Sequence, residues 1–329
     1  MRRAVSLLLK AAVSALLLYF ALSLVNLATV KERLLRADPL WLTLMLPVLL
    51  SQLSLQAWRW KRIVANCGTF LAFPLAFRFS MIAVFFSQTL PSSIGGDAMR
   101  VWLLSRYANW RTAIYSVFLD RVIGVVALAA LVLFCLPWTL ELVRDPIGRA
   151  ALLLIGLGSL GGAVAFIGLG WKRLHVLQHW APTRHLAEVA TVALAITRSP
   201  GSVIPTFGVS IVIHLITAVA AWCAAVSIGA SVPLLYAIFL VPPVLLVTVV
   251  PISIAGWGVR EGAMVAAFSY AGLAPSDGLI ISLMFGASYL VVGAAGGLIW
   301  IATSGRRLPE TETATQQSQA TEDGWTPQK

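Results

Sequence analysis

The chain has 329 residues, of which 59% are apolar or aromatic and only 11% are charged. So little charge cannot cover a water-soluble surface, and the composition also excludes a disordered chain, a coiled coil and a disulfide-rich secreted scaffold. The net charge of +11 would indicate a nucleic-acid partner in a soluble protein. Because the cytoplasmic loops of membrane proteins are rich in Lys and Arg, we expect no nucleic acid here and predict an all-α polytopic membrane protein.

About eight apolar runs have lengths near the 20 residues that cross a bilayer as a helix. In chain order, the long runs cover residues 4–28, 40–58, 112–136, 150–170, 203–228 and 279–303, and the medium runs cover 74–90 and 234–250. The first run follows a basic start that resembles a signal peptide. It is longer than the apolar part of a usual signal peptide, which favours an uncleaved first span.

Each medium run is followed by a turn rich in Pro, Gly and Ser and then by a short helix, predicted over 97–107 and 259–271. We predict these as re-entrant half helices in two hairpin motifs, at 89–107 and 249–271. Further predictions concern the rest of the chain. They are a transmembrane domain over 1–305, an interfacial amphipathic helix at about 184–198 and a disordered cytoplasmic tail over 306–329.

The distribution of Lys and Arg orients the chain. If each short helix returns the chain to its side of entry and the N-terminus is inside, fifteen basic residues lie inside and five outside. If the short helices do not return the chain, the split becomes eleven against ten. The positive-inside rule prefers the first topology. We therefore predict a multi-pass protein of the plasma (inner) membrane with both termini in the cytoplasm.

The two turns contain a repeated decapeptide. Residues 91–100 read PSSIGGDAMR and residues 251–260 read PISIAGWGVR, with Pro, the second Ser, Ile, the second Gly and the final Arg at matching offsets. In the preferred topology the helix before the first copy runs outward and the helix before the second runs inward. Inverted repeats with interrupted helices at corresponding places indicate the binding site of a transporter.

The residue types in these turns suit an anion. Proline ends a helix, glycine permits a sharp turn or a close approach, and Ser93 and Ser253 can cap the second helix. The N–H groups and the positive dipole end at a helix start favour a phosphate or carboxylate. Arg100 and Arg260 follow about one turn later and lean back toward that helix start. A guanidinium can bind phosphate with two hydrogen bonds.

Six ionisable residues are expected near the same depth in the membrane as the two turns. They carry three charges of each sign: Asp97, Arg100, Asp120, Arg121, Arg260 and Glu261. A neutral cluster limits the cost of charge in a membrane and would match a zwitterionic or phosphate-bearing headgroup. The alternative is a set of structural ion pairs that lock the two hairpins together. The predicted substrate-binding residues are Ser93, Gly95, Gly96, Asp97, Arg100, Asp120, Arg121, Ser253, Gly256, Arg260 and Glu261. No catalytic residue, metal ligand or cofactor is predicted.

Two further features have structural interpretations. His214 lies midway along its apolar run, which favours a hydrogen-bonded core histidine over a proton relay. The GxxxG pairs Gly158/Gly162 and Gly293/Gly297 predict close packing between helices.

The segments PSSIGGDAMRVWLL and VVPISIAGWGVREGAM, with the Asp120–Arg121 pair, resemble the flippase-like membrane region of lysylphosphatidylglycerol synthases. The resemblance covers about residues 5–303 and implies a protein that moves lipids between leaflets, with the lipid not fixed by the family. Asp97 stands where Glu is expected and Ala255 where Gly is usual, both mild departures. The short polar tail up to Lys329 predicts the stand-alone form, without an aminoacyl-transfer domain and without lipid lysylation.

The leading functional prediction is a lipid flippase or scramblase-type transporter for a phospholipid or a polyprenyl-phosphate-linked lipid. No P-loop is present in the sequence, so a driving force would come from an ion gradient, a partner or the lipid gradient. Two alternatives stay open: a membrane-embedded enzyme or accessory subunit of polyprenyl-phosphate or glycolipid biosynthesis, and a small-anion transporter. The expected partner is a membrane lipid, while a homodimer and a lipid-biosynthesis enzyme stay open. We expect Arg260→Ala to abolish transport with folding largely intact.

Overall fold

The computed structural model describes residues 18–90, 95–169, 200–249 and 256–304, together with Ala12, Leu16 and Ser253. In chain order its helices are α1 (Leu27–Leu35), α2 (Pro39–Asn66), α3 (Phe73–Thr89), α4 (Gly95–Leu104), α5 (Trp110–Leu142), α6 (Pro146–Leu169), α7 (Pro200–Ser227), α8 (Leu234–Thr248), α9 (Val259–Tyr270) and α10 (Pro275–Ser304). These described parts contain no strand, and the predicted all-α class is confirmed. The predicted interfacial helix at about 184–198 and the tail at 306–329 lie outside the described residues.

Among the described residues, four helices are long and apolar enough to cross a membrane, namely α2, α5, α7 and α10. Helix α8 and the part of α6 before residue 163 are apolar but shorter. These helices coincide with the predicted apolar runs to within a few residues, except that α2 continues to Asn66 and α5 to Leu142. The chain is a multi-pass membrane protein.

The first apolar run does not continue as one helix to residue 28, so the predicted end of the first span is wrong. The helical stretch 18–23 ends at a turn, and a new helix, α1, begins after Asn26. The side chain of Asn26 accepts hydrogen bonds from the N–H groups of Ala28 and Thr29 at 2.9 and 3.4 Å. Asparagine is a strong N-cap, and this local cap starts a new helix although the apolar composition continues.

The helices form two halves with the same order and spacing. Helix α2 begins at Pro39 and α7 at Pro200, while α3 begins at Phe73 and α8 at Leu234, so the two separations are equal. The packing is also equivalent in the two halves. Helix α3 of the first half lies against α10 of the second, and α8 of the second half lies against α5 of the first. Likewise α2 contacts α5 and α7 contacts α10, while α2 and α7 pack on each other more extensively than any other helix pair.

The two halves are inverted relative to each other, as predicted. The backbone N–H of Asp38, at the start of α2, donates to the carbonyl oxygen of Ser227, at the end of α7, at 2.7 Å. Arg59, in the last third of α2, donates to Ser210, in the first half of α7, at 2.8 Å. The counterpart helices α2 and α7 are therefore antiparallel. A rotation axis along the helices would leave them parallel, so the axis that relates the halves lies across them.

Glycines bring α10 against the backbone of α3. A Cβ atom on Gly296 would overlap the carbonyl oxygen of Met81, and one on Gly297 would lie 2.8 Å from the ring of Phe85. A Cβ atom on Gly293 would lie at an ordinary contact distance of 3.6 Å. The prediction that Gly293 and Gly297 lie in a helix interface is confirmed.

The other GxxxG pair packs against no helix in the described parts of the chain, and there its prediction is wrong. Cβ atoms built on Gly158 and Gly162 would meet no atom within 4 Å. Both residues instead line a cavity between α5, α6 and α8. The spacing of the glycines is the same in both pairs, so the neighbouring helix decides their role.

We expect Gly296→Ala to lower the free energy of unfolding by about 1–3 kcal/mol, the usual cost of overpacking. The new methyl group would force α3 and α10 apart along their shared interface. Gly161→Ala is the matched control, because its Cβ atom would meet nothing within 4 Å. Thermal unfolding of the purified proteins in detergent measures the difference. Equal stability of Gly296→Ala and the wild type would contradict the close approach.

Candidate functional site

The two glycines of the first motif place α4 against α3. A Cβ atom on Gly95 would lie 2.9 Å from the carbonyl oxygen of Phe86, and one on Gly96 would lie 2.5 Å from that of Ala83. Both distances are too short for a side chain, so only glycine permits this contact. The close neighbour of these two glycines is thus the backbone of α3, and their predicted role in substrate binding stays a prediction. Ser93, the predicted cap of α4, lies outside the described residues.

Three charged side chains are buried together at the centre of the first half. One carboxylate oxygen of Asp120, on α5, accepts a hydrogen bond from Nε of Arg59 at 2.8 Å. The other oxygen accepts one from a terminal nitrogen of Arg100, on α4, at 2.9 Å. All three residues are at most 4% exposed. The carboxylate of Asp120 thus joins α2, α4 and α5.

Neutral groups make further contacts with the two buried arginines. A terminal nitrogen of Arg59 donates to the hydroxyl oxygen of Ser210, on α7, at 2.8 Å. The guanidinium carbon of Arg100 lies 4.1 Å from the ring centroid of Trp60, a cation–π contact that favours a desolvated cation. The two arginines therefore hold α7 and α2 to the same centre.

A second ion pair lies at the more exposed edge of this centre. Nε of Arg121 donates to Asp97 at 2.6 Å, and the Arg121 side chain is 55% exposed. The other carboxylate oxygen of Asp97 is 3.7 Å from a terminal nitrogen of Arg100. As adjacent residues on a helix, Asp120 and Arg121 contact different partners, as predicted.

We call these five residues the first-half cluster: Arg59, Asp97, Arg100, Asp120 and Arg121. It contains three arginines and two aspartates, so it has one positive charge in excess. An excess cation near membrane depth favours an anionic partner.

The second half contains a separate ion pair around the fully buried Glu261. One carboxylate oxygen accepts hydrogen bonds from a terminal nitrogen of Arg260 at 2.7 Å and from the hydroxyl of Ser282 at 2.8 Å. The other accepts from the backbone N–H of Gly258 at 2.6 Å. The Arg260 guanidinium also lies 5.1 Å from the ring centroid of Trp257. Because Ser282 belongs to α10, this pair ties α9 to the helix that follows it.

Ser253 does not cap α9, so that prediction is wrong. The N-cap is Gly258, with a φ of +86°, and the Glu261 carboxylate reaches back to its N–H. Gly256 has a φ of +81°, which suits the sharp turn predicted for this glycine. These two left-handed residues extend the turn and delay the start of the helix beyond the reach of Ser253, which is buried.

The six predicted charges form two groups rather than one neutral cluster, and that prediction is corrected. Four of them join Arg59 in the first-half cluster, while Arg260 and Glu261 pair in the second half. No ion pair joins the two groups within the described residues. The physical reason is that Arg100 and Arg260 are each bound by the helix that follows in the same half, α5 or α10.

Arg59 is the site residue that sequence reasoning missed. It follows the apolar run 40–58 in the basic segment WRWKR. Such a segment is typical of a cytoplasmic loop, and Arg59 is therefore one of the fifteen basic residues predicted to lie inside. Helix α2 continues to Asn66 and buries Arg59. Without it, the count of basic residues is fourteen inside against five outside, so the orientation is unchanged. Ser210 and Ser282 carry no sequence signal, because serine is common in membrane helices.

His214 is a core histidine, as predicted. Its Nε2 atom lies 2.9 Å from the carbonyl oxygen of Gly124 on α5. A Cβ atom on Gly124 would lie 3.4 Å from the terminal nitrogens of Arg59. The histidine thus joins α7 to α5 beside the buried guanidinium.

The family model of the lysylphosphatidylglycerol synthase TM region matches residues 7–297, which include both motifs. No curated protein and no solved structure matches the chain.

Proposed function

The chain belongs to the family of the lysylphosphatidylglycerol synthase TM region, and on that premise we propose that it is a lipid flippase or scramblase-type transporter. Its substrate would be a phosphate-bearing lipid, either a phospholipid or a polyprenyl-phosphate-linked lipid. We place it in the plasma (inner) membrane with both termini in the cytoplasm, following the count of basic residues, and we take it to be a transporter and not an enzyme.

The observation that carries the proposal is the pair of inverted halves with a short helix at the same place in each. Helices α4 and α9 each follow an apolar helix too short to span with ease, and each contains a motif arginine. Interrupted helices at corresponding places in inverted repeats are typical of transporter binding sites. Helix starts supply N–H groups that favour an anionic headgroup.

The charges supply a path for a phosphate. In this structure Arg100 and Arg260 are both held by carboxylates of the protein. A lipid phosphate would compete with those carboxylates, starting at the more exposed Asp97–Arg121 pair. The excess positive charge of the first-half cluster would lower the cost of moving the phosphate away from water. The acyl chains would stay in the bilayer while the headgroup crosses between the halves.

Translocation of labelled lipids in proteoliposomes tests the proposal. Phosphatidylglycerol and a polyprenyl phosphate, each with a labelled headgroup, would be compared in vesicles with and without the purified protein. We expect at least one of them to change leaflet faster than in protein-free vesicles. If neither lipid moves faster while the reconstituted protein is shown to be folded, the transporter proposal is wrong and the enzyme or accessory-subunit interpretation takes its place.

A further inference from the structure

Two adjoining cavities form one groove beside the first-half cluster. The larger, of about 610 Å³, lies between α5, α6 and α8. The smaller, of about 280 Å³, shares Ile155 and Val247 with it and continues along α6 and α8 to Tyr270 on α9. We call this the α5–α6–α8 groove. Its lining is apolar almost throughout, and Arg121 is the charged residue in it.

The length of the groove suits a lipid chain. On α6 its lining extends from Gly148 to Gly162, which corresponds to about 21 Å at the helical rise of 1.5 Å per residue. The hydrocarbon core of a bilayer is about 30 Å thick, so the groove is longer than one leaflet. An extended acyl chain that begins at one headgroup level would fit along it.

Small residues on α6 keep the groove wide and accessible. Cβ atoms on Gly158 and Gly162 would meet nothing within 4 Å, so these positions leave space where bulkier residues would fill it. Leu154, at the rim, is 73% exposed. In a membrane protein such an apolar opening faces lipid tails, so a chain can enter sideways from the bilayer.

The charge at the groove suits a phosphate. Nε of Arg121 is bound to Asp97, and its two terminal nitrogens donate to no other residue among those described. Two parallel N–H groups on one guanidinium are the preferred donors for a phosphate. The first-half cluster has one positive charge in excess, so an anion at Arg121 would neutralise it.

We propose that the α5–α6–α8 groove binds one acyl chain of an anionic phospholipid whose phosphate lies on Arg121. This inference deepens the proposed function and rests on it, since it names where the substrate lipid is held before its headgroup moves. The groove has a cation, Arg121, at one end and an apolar lining along its length, and this combination matches an amphiphile.

Photolabelling tests the chain-binding part. Phosphatidylglycerol with a photoactivatable diazirine in one acyl chain would be added to the purified protein, and labelled peptides located by mass spectrometry. We expect labels on α5, α6 and α8. Gly158→Leu should lower this labelling about tenfold, equivalent to about 1.4 kcal/mol of binding energy. Gly161→Leu is the matched control, because a Cβ atom at this position would also meet nothing within 4 Å and Gly161 does not line the groove.

A second variant tests the headgroup part. Arg121→Gln should lower labelling by the phosphatidylglycerol probe several-fold. Labelling by a diacylglycerol probe, which has the same chain and no phosphate, should be unchanged in this variant. Thermal unfolding confirms that all three variants are folded. Labels that lie outside the groove would overturn the inference. Labels in the groove that Gly158→Leu leaves unchanged would overturn it too. Either result is expected if another part of the chain or a second copy fills the groove.

The two proposals fail in different ways. Specific labels in the groove, with no lipid movement in proteoliposomes, would keep the binding site and overturn transport. Lipid movement at the wild-type rate in Gly158→Leu would keep transport and overturn the role of the groove.

Discussion

Asp120→Ala is expected to lower the free energy of unfolding by about 3–5 kcal/mol, the usual effect of removing one partner of a buried ion pair. The change leaves Arg59 and Arg100 buried without the carboxylate that binds both. A membrane interior makes such uncompensated charges costly. Thermal unfolding in detergent, with the monodisperse fraction in size-exclusion chromatography, measures the loss.

The control for this prediction is Glu141→Ala on the same helix. Glu141 is exposed, and removal of an exposed charge changes stability by about 0.5 kcal/mol or less. If Asp120→Ala and Glu141→Ala unfold at the same temperature, Asp120 does not hold the first-half cluster together.

A triple variant separates folding from transport in the first half. Replacement of a whole buried ion set by apolar residues of similar size is often neutral or stabilising. We therefore expect the triple variant Arg59→Met, Arg100→Met and Asp120→Leu to recover the stability that Asp120→Ala loses. Loss of lipid movement in this folded variant would support a binding role for the cluster. Wild-type movement would show that these residues are structural ion pairs.

Arg260→Ala is expected to abolish lipid movement, because the second motif would lose its phosphate-binding cation. The structure changes the expectation for folding. Glu261 is fully buried, and Arg260 is its cationic partner among the described residues. The single variant would leave a buried carboxylate held by two neutral donors, so we now expect a loss of stability as well. Proteoliposome translocation and thermal unfolding measure the two effects.

A double variant shows which effect is primary. Arg260→Ala with Glu261→Gln removes the orphaned charge, while the amide oxygen can still accept from the N–H of Gly258. We expect this variant to regain stability and to remain inactive. If lipid movement returns together with stability, Arg260 is a structural residue and the second motif is not a phosphate site. Arg149→Ala, at an exposed position, is the control with unchanged activity.

The spans and the repeat could be predicted from the sequence, because both depend on local properties. An apolar segment that crosses lipid favours a helix, because its backbone polar groups must be satisfied within the segment. The matching decapeptides at 91–100 and 251–260 specify a turn through Pro and Gly, and the structure places a short helix after each. Helix geometry also predicts that the adjacent residues Asp120 and Arg121 contact different partners.

The partners of the charges depended on contacts that no local pattern contains. Arg59 is 61 positions from Asp120 along the chain and Ser210 is 151 positions from Arg59, so only helix packing brings them together. A charged residue after an apolar run is typical of a loop. It can instead lie inside a helix when a buried carboxylate from another helix offsets its desolvation.

The two GxxxG pairs show the same division. Both have the same spacing, yet Gly297 packs on Phe85 while Gly158 lines a groove. The sequence by itself determined the all-α membrane class, the two inverted motifs and the residues that bear charge. Only the tertiary structure decided which charges pair, where the helices contact and where space is left, because these depend on neighbours that are distant along the chain.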